Sequence, residues 1–325
     1  MLSIGDIIFN NTKLILAPMD DVTDLPFRTI CKELGADITV SEFIAADALI
    51  RDVEKTKQKI LSGKNENPFG IQLFGNEKES MCKAAQIIES YQPDFIDINW
   101  GCPARKIASK GAGSGMLKNI PLLLEITKEI IKSVHLPVTV KTRLGYDENN
   151  KCIVELCEQL QDIGVKAISI HGRTKSQMFK GESDWTLIGK VKANPNMEIP
   201  IIGNGDINSA QKAYQMREFH KVDAIMIGRA AIGNPWIFKE CRQKLDYNTN
   251  MQTPTIEERV RICKKHLLLT LEHKGEGVGL LEMRKHYKPY FKGINEFKPY
   301  RIKLLTTNDV NELMDTLDEI NCKFN

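Results

Sequence analysis

Short apolar runs alternate with amphipathic stretches along most of the chain. Each run has the length of a buried strand, is rich in Val, Ile or Leu, and is bounded by Gly, Pro, Asn or Asp. Between the runs, apolar residues recur every three or four positions, which is typical of helices. The pattern therefore predicts repeated strand–helix units, with strands at 13–17, 38–41, 69–73, 95–98, 138–141, 167–171, 200–203 and 224–227.

Eight such units favour a closed (β/α)₈ TIM barrel, within the α/β class, over an open sheet. Residues suited to binding or catalysis lie at or just after the predicted strand ends, where barrels of this kind have their active sites. They are Pro18, Met19, Gln72, Asn99, Cys102, Lys141, Arg143, His171, Asn204 and Arg229. We assign residues 1–245 to this catalytic domain.

Several of the predicted helices carry start signals. Asp24 is placed to cap a helix that ends near Leu34. Asn76 and Glu79 have the spacing of a capping box, and the helix after them has one apolar face. That face consists of Met81, Ala84, Ala85, Ile88 and Tyr91.

The C-terminal part of the chain has a purely helical pattern. Asn234, with a proline after it, predicts the cap and first turn of one helix. The polar stretch 246–253 is predicted to be a linker. Thr255 and Glu258 have capping-box spacing at the start of the next helix, and two more helical stretches follow. We therefore expect a small all-α domain over residues 254–325.

Positive charge is concentrated in this C-terminal part. The net charge of the chain is only +3, but residues 259–303 hold twelve Lys or Arg against four Asp or Glu, a net charge of +8. Aromatic residues lie in the same block, and aromatic residues among cations suit nucleic acid. A charge run is also the ordinary solvated face of a helix, so both interpretations stay open.

The cysteines and the N-terminus indicate the class of protein. Eight cysteines occur without any C-x-x-C spacing, which argues against a zinc ribbon, an iron–sulfur cluster or a disulfide framework, and we expect no metal site. The N-terminal apolar stretch contains Asp6 and lacks the core of a signal peptide. No run approaches the length of a membrane span. We expect a cytoplasmic protein.

The turn after the fourth strand is the strongest candidate for chemistry. Gly101 allows a sharp turn, and Pro103 stops the strand from continuing. This places the Cys102 thiol at a strand end, where it could transfer a proton or act as a nucleophile. An isolated cysteine is more often a buried structural residue, so the assignment depends on the other motifs. The next loop is expected to form a mobile basic lid with Arg105, Lys106 and Lys110.

Two turns after the seventh and eighth strands have the composition of a phosphate cradle. Residues 203–206 and Gly228-Arg229 would offer backbone N–H groups and a guanidinium. Barrels without flavin share this feature, so it indicates phosphate and no particular cofactor. Lys141 and His171 would point into the barrel mouth, where a cation can stabilise a reduced flavin.

Seven motifs occur in the order seen in tRNA-dihydrouridine synthases, and the chain resembles that family over nearly its whole length. They are residues 16–19 (LAPM), 72–75 (QLFG), 99–103 (NWGCP), 141–145 (KTRLG), 171–174 (HGRT), 203–207 (GNGDI) and 227–229 (IGR). Residues 283–286 (MRKH), followed by Tyr290 and Lys292-Gly293, resemble the tail of the bacterial B-type branch.

The resemblance implies an FMN enzyme that reduces a D-loop uridine of tRNA to 5,6-dihydrouridine, with NADPH as electron donor. We expect the protein to be a monomer. It implies that reduced FMN gives a hydride to uracil C6 and that Cys102 protonates C5. The implied FMN contacts are Pro18, Met19, Asp20, Gln72, Lys141, His171, Asn204, Gly205, Asp206, Gly228 and Arg229. The implied substrate contacts are Asn99, Arg143, Arg173, Arg284, Lys285 and Lys288.

Two positions depart from the pattern of that family. Asp20-Asp21 stands where the family has a small residue and Gly close to the flavin. Trp100 replaces a smaller apolar residue, and with Pro103 it is expected to keep the Cys102 thiol protonated.

Two other functions stay open at this point. A flavin barrel could act on a free pyrimidine, as dihydroorotate and dihydropyrimidine dehydrogenases do with a Ser or Cys on an active-site loop. Such an enzyme would not need a basic C-terminal domain. A barrel that binds RNA without catalysis would carry no flavin and would be colourless.

Overall fold

A computed structural model describes residues 2–325 and places eight parallel strands in one ring. Two short strands, β1 (Ser3–Ile4) and β2 (Ile7–Ile8), first form a separate antiparallel hairpin. The strands of the main sheet are β3 (Lys13–Leu16), β4 (Thr39–Val40), β5 (Ile44–Ala45), β6 (Phe69–Phe74), β7 (Phe95–Asn99), β8 (Val138–Arg143), β9 (Ile168–His171), β10 (Ile201–Asn204) and β11 (Ala224–Ile227).

Hydrogen bonds close this sheet into a barrel. Neighbouring strands follow the order β3, β11, β10, β9, β8, β7, β6, β4, and the short β5 also pairs with β6. A parallel bridge between Ile15 and Ile38 joins the two ends, and the Leu16 N–H donates to the Ile38 carbonyl at 3.0 Å. The predicted (β/α)₈ TIM barrel is therefore confirmed. Because its strands are parallel, all their carboxyl ends lie at one mouth of the barrel, where a site can form.

Helices surround the barrel and form the C-terminal region. The first ten are α1 (Leu25–Glu33), α2 (Ala46–Ile50), α3 (Glu54–Ile60), α4 (Lys78–Ser90), α5 (Arg105–Ala108), α6 (Ile120–Ser133), α7 (Ile153–Asp162), α8 (Thr186–Ala193), α9 (Ala210–His220) and α10 (Ile237–Tyr247). The others are α11 (Ile256–Lys274), α12 (Glu276–Tyr290), α13 (Lys298–Thr306) and α14 (Val310–Phe324). Short 3₁₀ helices span Gly113–Lys118 and Arg229–Ala231. Within residues 2–325, no helix combines the length and apolar character that a membrane crossing requires.

Cap geometry confirms two of the predicted helix starts. At the start of α1, the Asp24 side chain accepts a hydrogen bond from the Phe27 N–H at 3.1 Å. At the start of α11, Thr255 and Glu258 form both bonds of a capping box, at 3.2 and 2.9 Å. These bonds satisfy backbone N–H groups that have no partner within the first helical turn.

The predicted start and inner face of α4 are partly wrong. The helix begins at Lys78 without a side-chain cap, because Asn76 Nδ2 donates instead to the Lys110 carbonyl at 2.7 Å. Tyr91 lies just beyond the helix and is exposed, whereas the other four residues of the predicted face are buried. A tertiary contact with a neighbouring loop has therefore replaced the local cap.

The C-terminal region also differs in detail from the prediction. α10 begins at Ile237, two residues after the expected proline, because a turn around Asn234 precedes it. After α11 the chain forms three helices, where the pattern predicted two. Pro289 lies inside the last turn of α12 and Gly293 follows that helix, so periodicity alone did not indicate the boundary between α12 and α13.

The C-terminal helices pack on α1, beside the barrel mouth. Leu34 of the barrel shares an apolar cluster with Met283 and Tyr287 of α12. At the edge of this contact, Lys274 Nζ pairs with the Asp24 carboxylate at 2.6 Å. The contact holds α12 next to the loop that follows β3, so that residues of α12 reach the carboxyl face of the barrel.

Candidate functional site

A cavity of about 870 Å³ opens at the carboxyl ends of the barrel strands. Its volume is typical of small-molecule and cofactor sites. Most of the predicted site residues line it: Pro18, Met19, Asp20, Gln72, Asn99, Cys102, Lys141, Arg143, His171, Asn204, Gly205, Asp206, Gly228 and Arg229. Arg173, Arg284, Lys285 and Lys288 lie outside this cavity.

A chain of hydrogen bonds starts at the buried carboxylate of Asp97, which the sequence analysis did not single out. Gln72 Nε2 and Thr139 Oγ1 each donate to one oxygen of Asp97, both at 2.6 Å. Asn99 Nδ2 then donates to Gln72 Oε1 at 2.9 Å. Burial raises the pKa of Asp97, while these donors and Lys141 act in the opposite direction. With both of its oxygens accepting, Asp97 determines which end of the Gln72 amide faces Asn99.

This chain, which we call the Asp97 relay, ends at the turn that carries Cys102. Asn99 Oδ1 accepts from the N–H groups of Gly101 and Cys102, at 3.0 and 2.8 Å. From the other side, Ser114 Oγ donates to the Cys102 carbonyl at 2.8 Å. The turn is also tight against β8, since a Cβ on Gly101 would lie 3.3 Å from the carbonyl oxygen of Lys141. The backbone at Cys102 is therefore held from both sides.

The environment of Cys102 favours its protonated form. Burial raises the pKa of the thiol. The N–H of Ala104 and the cations Arg143 and Lys141 oppose this shift without cancelling it. The side chain is therefore a thiol near neutral pH, as a proton donor must be.

The Trp100 side chain points away from the cavity that Cys102 lines. Its side chain is fully buried, and the indole N–H donates to Thr127 Oγ1 of α6 at 3.0 Å. Successive residues of a strand point to opposite faces, so Trp100 lies on the helix side while Asn99 faces the barrel. The large side chain that departs from the family pattern is thus accommodated between β7 and α6.

Lys141 provides a cation in the floor of the cavity. It neighbours Asn99 in the register of β7 and β8, and its Nζ donates to Asn204 Oδ1 at 3.2 Å. Burial and then the repulsion of Arg143 lower the pKa of Lys141 to about 8, against the attraction of Asp97. The side chain is therefore mostly charged at pH 7 and about half charged near pH 8.

His171 is a neutral ring with one assigned tautomer. Burial, followed by Arg143 and Lys141, holds its pKa well below the ordinary value for histidine. Arg173 Nη1 lies 3.2 Å from His171 Nε2. Because a guanidinium only donates, Nε2 accepts and Nδ1 carries the proton.

Arg173 and Asp206 are engaged with each other below the cavity wall. The Arg173 side chain is buried, and its Nη2 donates to Asp206 Oδ2 at 2.6 Å. Arg229 Nη2 pairs with the other oxygen of Asp206 at 3.2 Å, and the Ser183 N–H adds a third donor at 2.8 Å. This geometry places Arg173 as a support for Asp206, and Asp206 as a support for the largely exposed Arg229.

Arg143 lines the cavity, but most of its donors hold backbone. Its Nε donates to the Gly101 carbonyl at 2.7 Å, and its Nη1 to the carbonyls of Thr174 and Met178, both at 2.9 Å. Arg143, the last residue of β8, therefore joins the loops that follow β7 and β9. Burial lowers its pKa to about 10, which still leaves it charged.

The structure adds aromatic and thioether side chains that no motif indicated. Phe43, Met178 and Phe179 line the cavity, and Phe179 is 54% exposed. The guanidinium carbons of Arg143 and Arg229 lie 5.6 and 5.3 Å from the centre of the Phe179 ring. These residues lie on irregular loops, where periodicity has no signal to offer.

Asp20 and Asp21, the other departure from the family pattern, are balanced by a lysine. Lys59 Nζ lies 2.7 Å from Asp20 and 3.2 Å from Glu42. The Asp21 N–H donates to the Glu42 carboxylate at 2.6 Å, and Asp21 itself has a φ of +56°. Lys59 therefore supplies the positive charge that this acidic rim needs.

A second cavity, of about 850 Å³, adjoins the first and lies between the barrel and the C-terminal helices. Lys285 and Lys288 line it, together with Arg259 and Lys292. Lys285 also donates to the Asp21 carbonyl of the barrel and pairs with Glu282. Arg284 lies apart from both cavities and donates to Asn308 Oδ1 at 2.8 Å.

Comparison with known sequences finds a family model and several similar proteins. The model described as dihydrouridine synthase matches residues 15–324. The chain is 36% identical to tRNA-dihydrouridine synthase B of Pasteurella multocida, covering 94% of this chain and 92% of that protein. It is 38% identical to tRNA-dihydrouridine synthase B of Vibrio vulnificus, covering 92% of each. For the protein of the same name from Vibrio cholerae, identity is 35% over 98% of each.

Similar solved structures are more distant in sequence. Histamine dehydrogenase from Rhizobium sp. 4-9 superposes with a TM-score of 0.55 at 12% identity, covering 82% of this chain and 50% of that one. Morphinone reductase in complex with tetrahydroNAD gives a TM-score of 0.51 at 14% identity, covering 78% and 91%. At this identity the likeness concerns the barrel fold alone.

We predict that the Cys102 thiol titrates above the ordinary range of a free cysteine, because burial outweighs the nearby cations. Alkylation by iodoacetamide, followed by mass spectrometry of the peptide that contains Cys102, measures the midpoint in the folded protein. The same peptide in urea-unfolded protein is the control, and the folded midpoint should be the higher of the two. A folded midpoint at or below that of the unfolded protein would contradict the predicted direction.

We predict that Asp97→Leu lowers the free energy of unfolding by roughly 2–4 kcal/mol, because the Gln72 amide and the Thr139 hydroxyl lose their acceptors inside the barrel. Thr139→Val is the control, since it keeps the Asp97–Gln72 bond and should cost about 1 kcal/mol. Urea denaturation measures both. Equal losses in the two variants would mean that Asp97 does not support the relay.

Proposed function

Because the chain belongs to the dihydrouridine synthase family, we propose that the cavity at its barrel mouth is the place where a uridine of tRNA is reduced to 5,6-dihydrouridine. The activity itself is flavin-dependent reduction of uridine in tRNA, with FMN as cofactor and NADPH as reductant. The observation that carries the assignment to this cavity is the position of the Cys102 thiol, on a hydrogen-bonded turn together with thirteen other residues of the predicted site.

The residues of the cavity fit FMN. Gly205 has a φ of +125°, and a Cβ there would lie 2.7 Å from Ser183 Cβ, so this turn requires glycine. At Gly228 a Cβ would meet only Ala17 and Met19, at 3.5 Å, which leaves room for a ligand to approach the backbone. The side chain of Arg229 beside it is 59% exposed and can receive a phosphate. The volume also suffices for a flavin with a base stacked on it.

We assign the FMN contacts accordingly. Arg229 and the glycine turns at Gly205 and Gly228 would hold the phosphate, and Asp206 would orient Arg229. Lys141, with its depressed pKa, would place a cation near the pyrimidine edge of the ring. The remaining contacts would come from Pro18, Met19, Asp20, Gln72, His171 and Asn204. When bound and reduced by NADPH, FMN supplies the hydride that uracil C6 receives.

Cys102 would supply the proton that C5 receives. Carbon accepts protons slowly, so a donor fixed near C5 is valuable. The raised pKa keeps the proton on sulfur until it is needed, and Lys141 and Arg143 would then stabilise the thiolate that remains. Proton uptake from solvent would restore the thiol.

Asn99 would face the uracil and donate one of its two amide hydrogens to it. Its oxygen accepts from the Cys102 turn, and one of its two amide hydrogens goes to Gln72. The other has no partner within residues 2–325 and could donate to a uracil carbonyl. Asp97 orients the Gln72 amide, and Gln72 orients Asn99. The Asn99 amide that recognises uracil and the Cys102 thiol that protonates it would therefore keep a constant distance and orientation.

The second cavity supports tRNA as the substrate over a free pyrimidine. It continues from the FMN cavity and carries Arg259, Lys285, Lys288 and Lys292, cations for which a free pyrimidine has no use. We therefore propose that the helical region 254–325 is a tRNA-binding domain beside a catalytic domain formed by residues 1–245. The target would be a D-loop uridine, and the reaction would take place in the cytoplasm. All the assigned residues come from one chain, so a monomer suffices.

Cys102→Ala is expected to retain FMN and tRNA binding but to reduce uridine about 10²–10⁴-fold more slowly, because a positioned general acid is removed. Stopped-flow absorbance should show flavin reduction by NADPH at a near wild-type rate, since that half-reaction does not use the thiol. Mass spectrometry of the tRNA product measures the second half-reaction. Cys157→Ala, at a buried cysteine outside the cavity, is the matched control. Turnover of tRNA within a few-fold of wild type would make Cys102 structural.

FMN affinity is expected to decrease as the pH rises through about 8, because Lys141 then loses its charge. The folded-state pKa of Lys141 lies below its ordinary value, so the charged form contributes to FMN binding below pH 8. Above pH 8 this contribution is lost, and FMN affinity should decrease by up to tenfold per pH unit. Fluorescence titration of FMN at pH 6.5 to 9.5 measures this trend. Lys141→Met should bind more weakly at low pH and show no such inflection. The same inflection in the variant would assign it to another group.

A further inference from the structure

Tyr146 holds two lysine side chains together on the carboxyl face of the barrel. Lys118 Nζ lies 4.4 Å and Lys175 Nζ lies 4.5 Å from the centre of the Tyr146 ring. Lys175 Nζ also donates to the Tyr146 hydroxyl at 3.0 Å. We call these three residues the Tyr146 cluster. Each lysine gains a cation–π interaction, but the two positive charges repel each other.

No carboxylate within residues 2–325 neutralises either lysine by a salt bridge. The two acidic residues next in the chain are engaged elsewhere: Glu148 pairs with Lys151, and Asp147 Oδ1 accepts from Asn149 and Asn150. By contrast, several lysines of the basic C-terminal block are paired: Lys264 with Asp318, Lys265 with Glu33, Lys274 with Asp24 and Lys303 with Glu319. An anion beside Tyr146 would meet two positive charges that no salt bridge within residues 2–325 neutralises.

The cluster belongs to the same loops as the catalytic turn. Lys118 ends the 3₁₀ helix in the loop after β7, the loop that also carries Cys102. Tyr146 follows β8, and Lys175 follows β9. Backbone bonds join the last two loops, since the N–H groups of Lys175 and Ser176 donate to the carbonyls of Gly145 and Tyr146 at 3.0 and 2.9 Å. The cluster is therefore fixed to the rim of the cavity.

The strand order places this cluster across the barrel from the C-terminal helices. Those helices contact the loop after β3, through the bond from Lys285 to the Asp21 carbonyl. In the ring of eight strands, β8 stands four places from β3, which is the opposite side. A polyanion that lay over the cavity would thus meet cations at both rims. The neighbouring α5 adds Arg105 and Lys106, which form no salt bridge within residues 2–325.

We propose that the Tyr146 cluster binds a backbone phosphate of tRNA on the side of the cavity opposite the helical domain, a proposal that rests on the proposed function. With one anchor on each rim, the strand between them is held over the cavity at two points, which would restrict the nucleotide presented to Cys102. The cluster would bind phosphate alone, so it would add affinity without reading the sequence.

The test compares two double variants of the FMN-loaded protein. Lys118→Ala/Lys175→Ala removes both ammonium groups of the cluster. Lys128→Ala/Lys166→Ala is the matched control, because it removes two exposed lysines away from the carboxyl face, one on α6 and one at the amino end of β9. Fluorescence anisotropy measures the Kd for tRNA over a series of KCl concentrations, and steady-state kinetics measure the KM for tRNA and for NADPH.

The cluster variant is expected to bind tRNA roughly 2- to 30-fold more weakly, as for the removal of two exposed ion pairs. Its log–log salt slope should be less negative by about 0.7–0.9 for each phosphate that the protein no longer neutralises. The KM for tRNA should rise, while the KM for NADPH and the rate of flavin reduction stay at wild-type values. Tyr146→Leu, which keeps both charges but not the ring that aligns them, should give an intermediate Kd.

Three outcomes would overturn the proposal or its premise, and they are distinguishable. If both double variants weaken binding equally, the effect is one of net charge and the cluster is no site. If the KM for NADPH rises and the Kd for tRNA does not, the cluster serves a phosphate of the reductant. If the wild-type protein itself neither binds nor reduces tRNA, the proposed function fails, whatever the cluster does.

Discussion

The catalytic end of the molecule depends on one buried carboxylate that can only accept hydrogen bonds. Asp97 lies in the middle of β7 and orients the Gln72 amide, which orients Asn99, whose oxygen then holds the backbone of Gly101 and Cys102. An unpaired charge at this depth would be costly, and the donors of Gln72 and Thr139 compensate for it. The result is a thiol whose position depends on a chain of hydrogen bonds that begins at a buried carboxylate inside the barrel.

A second set of hydrogen bonds connects the loops around that thiol. Arg143 donates to three carbonyls in the loops that follow β7 and β9, and Arg173 and Asp206 brace the turn that carries Arg229. Arginine suits this task because its fork of donors keeps its charge even when burial lowers its pKa. Two of the arginines that the motifs assigned to substrate are thus engaged mainly with backbone or carboxylate. Arg143 and Arg173 would therefore affect the reaction indirectly, by positioning the backbone of the Cys102 turn and the carboxylate of Asp206.

The electrostatics of the carboxyl face depend on which cations are buried, which are paired with carboxylates and which are left unpaired. Burial leaves Lys141 charged only up to about pH 8, and it keeps His171 neutral. Several lysines of the C-terminal block are neutralised by ion pairs, one of which, between Lys274 and Asp24, fastens α11 to the barrel. The net charge of +8 in that block therefore overstates the charge that it offers to a ligand. Cations without a carboxylate partner among residues 2–325, such as those of the Tyr146 cluster, matter more than their number suggests.

What the sequence determined by itself was the barrel and most of its cavity. Strand ends in a parallel barrel all reach one face, so eight apolar runs sufficed to bring Gln72, Asn99, Lys141 and His171 together. The tertiary structure alone decided the rest. Asp97 lies inside a strand, and its partners Gln72 and Thr139 come from neighbouring strands whose register no local pattern encodes. Asn76 bonds to a loop carbonyl instead of capping its helix, and Trp100 turned towards α6, because side-chain partners distant in sequence outweighed local preference. Which cations are paired and which are free is likewise a property of the folded chain, since ion pairs form between residues far apart in sequence, such as Lys265 and Glu33.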